Sequence, residues 1–125
     1  MLDMEALKAA GIDTEEGMAY CADDPEFYEE MIMEYLQESE GRMADLERYC
    51  ADRDWHSYSI CAHSVKSTSR LIGAAALSDD ARIMEMAGKE ENTEAILAGH
   101  AHFLEAYRNT AERLRAVAAA AGKCT

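Results

Sequence analysis

The sequence predicts an all-α protein. Ala, Glu, Met, Leu and Arg are abundant among its 125 residues, whereas only one proline and seven glycines occur, a composition that favours helix almost throughout. Apolar residues recur at steps of three and four over long segments, which is the period of an amphipathic helix. No stretch alternates β-branched and polar residues for more than a few positions, and no Asn-Gly or Asp-Gly hairpin turn appears, so strands are not expected.

Two short helices are expected at the N-terminus. Residues 1–10 are amphipathic and are followed by Gly11, a residue suited to the end of a helix. Asp13 with Glu16 three positions later fits a capping box, which predicts a second short helix over residues 14–21.

The first long helix has the clearest start signal in the chain. Asp24 can cap it, Pro25 suits its first position, and Glu26 places a carboxylate in the first turn, where the helix dipole favours negative charge. The helix is expected to reach about Ala51, although Gly41 could bend it. The residues spaced to face a core are Tyr28, Ile32, Tyr35, Met43, Leu46 and Cys50.

Three further helices are predicted after the turn "ADRDW". Asp52 or Asp54 can cap a helix that runs to about Ile72, where Gly73 ends or bends it. The next helix is expected over 74–87. The positions of this helix that form one apolar stripe are Leu77, Ala81 and Met84.

Gly88 is predicted to end that fifth helix, before the polar link "KEEN". Asn92 or Thr93 then caps the last helix, which is expected to reach about Ala120. Its core-facing residues are Ile96, His100, Phe103, Tyr107, Leu114 and Val117.

These elements predict one domain over residues 1–125. Four long helices joined by very short links must pack antiparallel to their neighbours. The economical arrangement is an up-down-up-down four-helix bundle over 24–121, with residues 1–22 as a short N-terminal helical extension. Because four helices can close one core, a monomer is expected.

Charge and composition narrow the classes of partner. The chain has 25 acidic and 12 basic residues and a formal charge of -13, which repels nucleic acid and anionic membranes, so protein partners are expected. No apolar run approaches the roughly 20 residues of a membrane span, and "MLDMEALKAAG" does not resemble a signal peptide. The four cysteines, Cys21, Cys50, Cys61 and Cys124, form no CxxC pair, which indicates reduced thiols in the cytoplasm and no zinc site.

The segment "AHSVKSTSRLIGA", residues 62–74, places a histidine on the outer face of its helix. His63 points away from the apolar side, and Lys66 lies one turn along, where Cβ atoms are about 5–6 Å apart. A phosphoryl group on the ring would carry close to two negative charges, which the ammonium could partly neutralise. Ser67 is small enough to let a second protein reach the ring, and Arg70, roughly 10 Å along the axis, suits docking. The residues predicted to be buried on the other side are Tyr58, Ala62, Val65, Ser69 and Ile72.

The longer segment "AHSVKSTSRLIGAAAL" resembles the signature of histidine-containing phosphotransfer domains. The segments "GIDTEEGMAYCADDPEFYEEMI" and "GHAHFLEAYRNTAERL" resemble the N-terminal and last helices of that family, so the likeness covers most of the chain. Val65 stands where the family usually has leucine, and Ser67 where it usually has glycine. The resemblance implies that His63 is the phosphoacceptor and Lys66 its phosphate neighbour. Docking roles are expected for Ser59, Ile60, Ser67 and Arg70, and structural roles for Ser69, Gly73 and Ala74.

The resemblance also implies a mechanism. The unprotonated Nε2 atom of His63 would attack an aspartyl phosphate on a receiver domain, and the phosphoryl group would later pass to another receiver's aspartate. The receiver would supply Mg²⁺ and most of the charge stabilisation, whereas this chain would bind no cofactor. The expected partners are receiver domains and possibly a hybrid histidine kinase.

Three other interpretations of the same residues remain. A helical adaptor could bind and sequester a receiver or kinase domain without accepting phosphate. A kinase dimerisation segment is disfavoured because no Gly-rich nucleotide-binding sequence follows, so a phosphoryl carrier is favoured over an ATP-using enzyme. A four-helix metal protein is disfavoured because no Glu-x-x-His pair projects from two helices, and His56 is too far from His63 to share one metal.

Overall fold

The structure, a computed structural model, describes residues 1–122, and these residues form six helices and no strand. Cys124 lies outside the described residues, and the described cysteines are free thiols. No helix of the described part is long and apolar enough to cross a membrane. The helices are α1 Met4–Ala9, α2 Thr14–Tyr20, α3 Pro25–Ala51, α4 Trp55–Leu71, α5 Ala75–Lys89 and α6 Thr93–Ala120.

The four long helices form the predicted four-helix bundle. Each of α3, α4 and α5 packs against the next helix along the chain, and α6 returns to pack against α3, which closes the ring. Helices α1 and α2 pack on this bundle, with α2 contacting both α3 and α4. The largest fully buried side chains are aromatic: Tyr28, Tyr35, Tyr58, Phe103 and Tyr107.

Polar side chains explain where five of the six described helices begin, whereas α5 follows Ala74 and has no side-chain cap. Asp24 accepts hydrogen bonds from the first backbone N–H groups of α3, and Pro25 follows it, as predicted. The sequence offered Asp52 or Asp54 as the cap of α4 and Asn92 or Thr93 as the cap of α6. In the structure Asp54 caps α4 and Asn92 caps α6. The first helix is shorter than expected because Asp3 caps it and Met4 begins it.

The prediction that Gly88 ends the fifth helix is wrong. Gly88 lies within α5, which continues to Lys89. A Cβ atom at this glycine would lie only 2.9 Å from the Cβ atom of Ser59 on α4. The missing side chain therefore serves close packing between α4 and α5 instead of helix termination.

Of the two roles predicted for Gly73, ending α4 or bending it, the structure shows the first, and the conformation of Gly73 explains why. Its φ of +89° lies in the left-handed region, which disfavours residues that have a Cβ atom. The Gly73 carbonyl oxygen also accepts a 2.8 Å hydrogen bond from the backbone N–H of Asp13. The N-terminal helices are thereby tied to the turn between α4 and α5.

The predicted core is largely confirmed. The expected apolar stripe of α5 is buried, and so are most of the core-facing residues of α3, α4 and α6. Three expected core residues are only half-buried: Met43, Cys50 and His100.

Candidate functional site

His63 lies in the middle of α4 with 56% of its side chain exposed. The three- and four-residue periodicity of α4 explains this position, because Ala62 and Val65 take the buried side of the helix. The ring is nevertheless held in place, since Nδ1 lies 2.8 Å from Oε2 of Glu85 on α5.

Glu85 is the centre of this site, and only 3% of its side chain is exposed. Its Oε1 atom lies 2.7 Å from Nζ of Lys66, and its Oε2 atom lies 3.0 Å from Nζ of Lys89. With the His63 ring, three donors from two helices therefore surround one buried carboxylate. A buried charge is tolerated where it is paired and hydrogen-bonded in this way.

The surroundings of Glu85 keep it ionised. Burial by itself would raise the pKa of this carboxyl group, but hydrogen bonds from Lys66, Lys89 and His63 outweigh burial and lower the pKa to about 2. A carboxylate at neutral pH can only accept hydrogen bonds. The proton of the 2.8 Å contact with His63 must therefore reside on Nδ1.

This hydrogen bond determines which nitrogen of His63 is free. In a neutral imidazole one ring nitrogen carries the proton and the other carries a lone pair. With the proton on Nδ1, the lone pair lies on Nε2. No side chain among residues 1–122 hydrogen-bonds that atom, and the exposed side chain leaves the ring open to solvent.

Close packing between α4 and α5 explains how a carboxylate from one helix meets a ring from the other. The antiparallel pair is in contact at Ser59 and Gly88, one turn away from His63 and Glu85 respectively. Farther along, the buried Ser78 hydroxyl donates a 2.9 Å hydrogen bond to the backbone oxygen of Lys66. These two contacts set the register that brings His63 and Glu85 together.

The two lysines differ in how firmly they are held. Lys66 has 28% of its side chain exposed and is the donor on Oε1, whereas Lys89 has 66% exposed and shares Oε2 with the His63 ring. Two ammonium groups facing one buried carboxylate give this part of a strongly acidic protein a local positive charge.

The other predicted docking residues divide into two groups. Ile60 and Ser67 are exposed one turn on either side of His63. Arg70 is also exposed, but it forms ion pairs with Glu16 at 3.6 Å and Asp79 at 4.0 Å.

The prediction that Ser59 belongs to the exposed docking face is wrong. Ser59 is buried against Gly88, and its hydroxyl donates a 2.7 Å hydrogen bond to the backbone oxygen of His56. The close approach of α5 covers this residue. Ser59 lies one turn before His63, so the helical period by itself puts both on the same side of α4, but it cannot show that the neighbouring helix lies so near.

The residues with predicted structural roles lie in the interior. Ser69 is buried, and its hydroxyl forms a 3.0 Å hydrogen bond with the Tyr35 hydroxyl. Gly73 forms the turn after α4, and the buried Ala74 precedes the first residue of α5.

The remaining histidines lie apart from His63. His100 is half-buried, its Nδ1 atom lies 2.9 Å from the Tyr58 hydroxyl, and burial lowers its pKa. His102 is exposed and lies 3.9 Å from Asp80, and His56 is exposed on α4. Within residues 1–122 no group of three or more His, Cys, Asp or Glu side chains could hold a metal ion.

Sequence reasoning missed Glu85 and Lys89. A signal for Glu85 was present, because it lies one turn beyond Ala81 and next to Met84 on the apolar stripe of α5. An acidic residue beside such a stripe needs a partner, and Lys89 follows at the i+4 position. That His63 completes the group is visible only in three dimensions.

A scan against protein family models matches residues 30–120 to the family described as Hpt domain. The match runs from the first turns of α3 to the end of α6, so it includes His63 and Glu85. A search of the curated proteins and a search of the solved structures give no significant match.

Proposed function

Because this chain belongs to the Hpt domain family, which acts in histidine phosphotransfer of two-component signalling, we propose that His63 is its phosphoacceptor. The phosphoryl group comes from an aspartyl phosphate on a receiver domain and later passes to the aspartate of another receiver. One observation carries this proposal: the side chain of His63 is 56% exposed, and its Nδ1 atom hydrogen-bonds an ionised, buried carboxylate, which leaves the lone pair on Nε2.

The transfer step uses the Nε2 lone pair of His63. It attacks the phosphorus of the aspartyl phosphate and forms an N–P bond, while the bond from phosphorus to the acyl oxygen breaks. The aspartate leaves as a carboxylate with that electron pair, so no proton needs to move. The partner receiver supplies Mg²⁺, and this chain contributes the nucleophile and its positioning.

Glu85 supports this step in two ways. It keeps the proton on Nδ1 of His63, which leaves Nε2 as the nucleophile. When Nε2 bonds to phosphorus, the ring becomes positively charged, and the carboxylate 2.8 Å away stabilises that charge. Because Glu85 is already buried and oriented, little reorganisation is needed when the charge appears.

Lys66 supplies positive charge to the incoming phosphoryl group. Its ammonium lies 2.7 Å from Oε1 of Glu85, which holds it near the His63 ring before the phosphoryl group arrives. An ammonium has three N–H donors, so Lys66 can keep its bond to Glu85 and donate another to a phosphoryl oxygen. The lysine is thus positioned in advance of the reaction.

The receiver docks around the exposed ring. Ile60 and Ser67 flank His63 by one turn on each side and are exposed. Ile60 offers apolar surface, and the short side chain of Ser67 leaves room for the partner's aspartate. Arg70 contributes at the edge of this surface, where an acidic group of the receiver must compete with Glu16 and Asp79.

Incubation with a panel of phosphorylated receiver domains tests the proposal. The wild-type protein should acquire an acid-labile, base-stable label, and His63→Gln should acquire none. His56→Gln is the matched control, because this exposed histidine lies two turns earlier on the same helix, and it should label normally.

Label retained by His63→Gln would move the site elsewhere. No label from any receiver would favour the alternative function, an adaptor that binds a receiver or kinase domain without accepting phosphate. Binding of receiver domains without transfer, measured by calorimetry, would support that adaptor function.

A further inference from the structure

Ser67 differs from the other small hydroxyl side chains near His63 on α4. A serine or threonine inside a helix often donates its hydroxyl hydrogen bond to a backbone oxygen three or four residues earlier. Ser59, Ser64 and Thr68 do so. Within residues 1–122, no hydrogen bond joins the exposed hydroxyl group of Ser67 to another group. The donor of Ser67 is therefore available to a ligand.

Ser67 lies beside the ring of His63, on the side away from α5. Four residues turn an α-helix by about 400°, so Ser67 lies one turn beyond His63 and about 40° around the helix axis. Lys66 lies about 60° around the axis in the opposite sense, on the side where it contacts Glu85 of α5. Side chains of a helix lean toward its N-terminus, which directs the Ser67 hydroxyl toward the turn that carries His63.

The hydrogen bond to Glu85 decides which edge of the ring is turned toward this hydroxyl. Nδ1 of His63 lies 2.8 Å from Oε2 of Glu85 and so faces α5. The two nitrogens of an imidazole point in different directions, so a group bonded to Nε2 lies away from the carboxylate. A phosphoryl group on Nε2 would therefore project toward the outer side of α4, where Ser67 is exposed.

The chemistry of a phosphoryl group suits a hydroxyl donor at this place. The group carries close to two negative charges and three strong acceptor oxygens. A hydrogen bond to an ionised acceptor is roughly twice as strong as one between neutral groups. The Ser67 hydroxyl gives up no hydrogen bond within residues 1–122 to form it. Its short side chain also has few rotamers to lose.

We propose that Ser67 is a phosphate-binding side chain, whose hydroxyl donates a hydrogen bond to an oxygen of the phosphoryl group on Nε2 of His63. This inference rests on the proposed function, since it requires phosphorylation of His63. Lys66 and Ser67 then hold the phosphoryl group from opposite sides of the ring, one with a charge and the other with a neutral donor. A glycine at position 67 would leave the same room for a receiver but would have no donor.

The second pKa of the phosphoryl group reports on this contact. A hydrogen-bond donor favours the dianion and lowers that pKa. The protein is phosphorylated with phosphoramidate, whose P–N bond breaks with release of ammonia, and the phosphohistidine signal is followed by ³¹P NMR as a function of pH. In Ser67→Ala the phosphoryl pKa should rise by about 0.3, as expected for the loss of one solvent-exposed hydrogen bond.

Three variants control this measurement. Ser67→Gly should give the same rise, because it also removes the hydroxyl group. Ser67→Thr keeps a hydroxyl group and should titrate as the wild type. Ser64→Ala removes the hydroxyl group of the residue next to His63, which already donates to the backbone oxygen of Ile60, and it should also titrate as the wild type.

The outcomes separate the two proposals. If His63 is labelled and Ser67→Ala leaves the phosphoryl pKa unchanged, the role of Ser67 is overturned and the function of His63 stays intact. An equal rise in Ser64→Ala would also overturn the role of Ser67, because the shift would not depend on its hydroxyl group. If the wild type gives no phosphohistidine signal, or if His63→Gln gives the same signal, the proposed function fails and the role of Ser67 fails with it.

Urea denaturation shows whether the Ser67→Ala variant is intact. It should be at least as stable as the wild type, because alanine has a higher helix propensity than serine and position 67 is exposed. A rise in the phosphoryl pKa in a variant of undiminished stability reports the lost donor and not a disturbed fold.

Discussion

Replacement of Glu85 by glutamine should make the stability of the protein less dependent on pH in the acidic range. Glutamine has nearly the same shape as glutamic acid, but it carries no charge and resembles the protonated side chain. The variant should be less stable than the wild type at pH 7, because Lys66 and Lys89 lose their common anion. The difference between the two proteins should shrink as the pH falls.

The size of this effect follows from the pKa of Glu85, which its three donors lower from an ordinary value of 4.5 to about 2 against the opposing effect of burial. At about 1.4 kcal/mol for each pH unit, the interaction contributes about 3 kcal/mol to the free energy of unfolding. The folded protein binds this proton more weakly than the unfolded chain does. The contribution is therefore complete above about pH 4.5 and is lost as the pH falls toward 2.

Urea denaturation followed by circular dichroism at pH 7, 5, 4 and 3 measures this difference. The difference in free energy of unfolding between the wild type and Glu85→Gln should decrease by about 2 kcal/mol between pH 5 and pH 3. Glu105→Gln is the control, because Glu105 is an exposed carboxylate that pairs with Arg108 at 3.0 Å, and such pairs contribute little. A gap of constant size from pH 7 to pH 3 would refute the argument that three donors stabilise the ionised form of Glu85.

Two other substitutions test the docking surface and the turn before α5. Ser67→Arg should weaken receiver binding and transfer at least tenfold, because a long side chain would cover the approach to His63. The circular dichroism spectrum should stay unchanged. Normal binding in a calorimetric titration would mean that the docking surface lies elsewhere. Gly73→Ala should lower the free energy of unfolding by at least about 2 kcal/mol, because a Cβ atom would overlap the backbone oxygen of Asp13 at a positive φ. Gly11 has a similar φ but open space around it, so Gly11→Ala should lower the free energy of unfolding by less. If urea denaturation gives equal losses for the two variants, the overlap with Asp13 is not the cause of the effect at Gly73.

Local sequence signals were sufficient to predict the positions of most of the helices. Asp24 and Pro25 predicted the start of α3 because a capping side chain and a ring with fixed φ act within one turn of the backbone. The same locality explains why His63 could be placed on the exposed side of α4 from periodicity alone. The prediction at Gly88 failed because its role depends on a contact with another helix. The sequence cannot distinguish a glycine that ends a helix from one that admits a neighbouring helix.

The sequence by itself determined the helical class, the number of long helices and the outward position of the His63–Lys66 pair, because these depend on hydrogen bonds and side-chain spacing within single helices. Only the tertiary structure decided that the Glu85 carboxylate contacts both His63 and Lys66 and that Ser59 is buried by α5. Both depend on the distance and register between α4 and α5. That register is set by small residues that meet across the interface, and no periodicity within one helix contains this information.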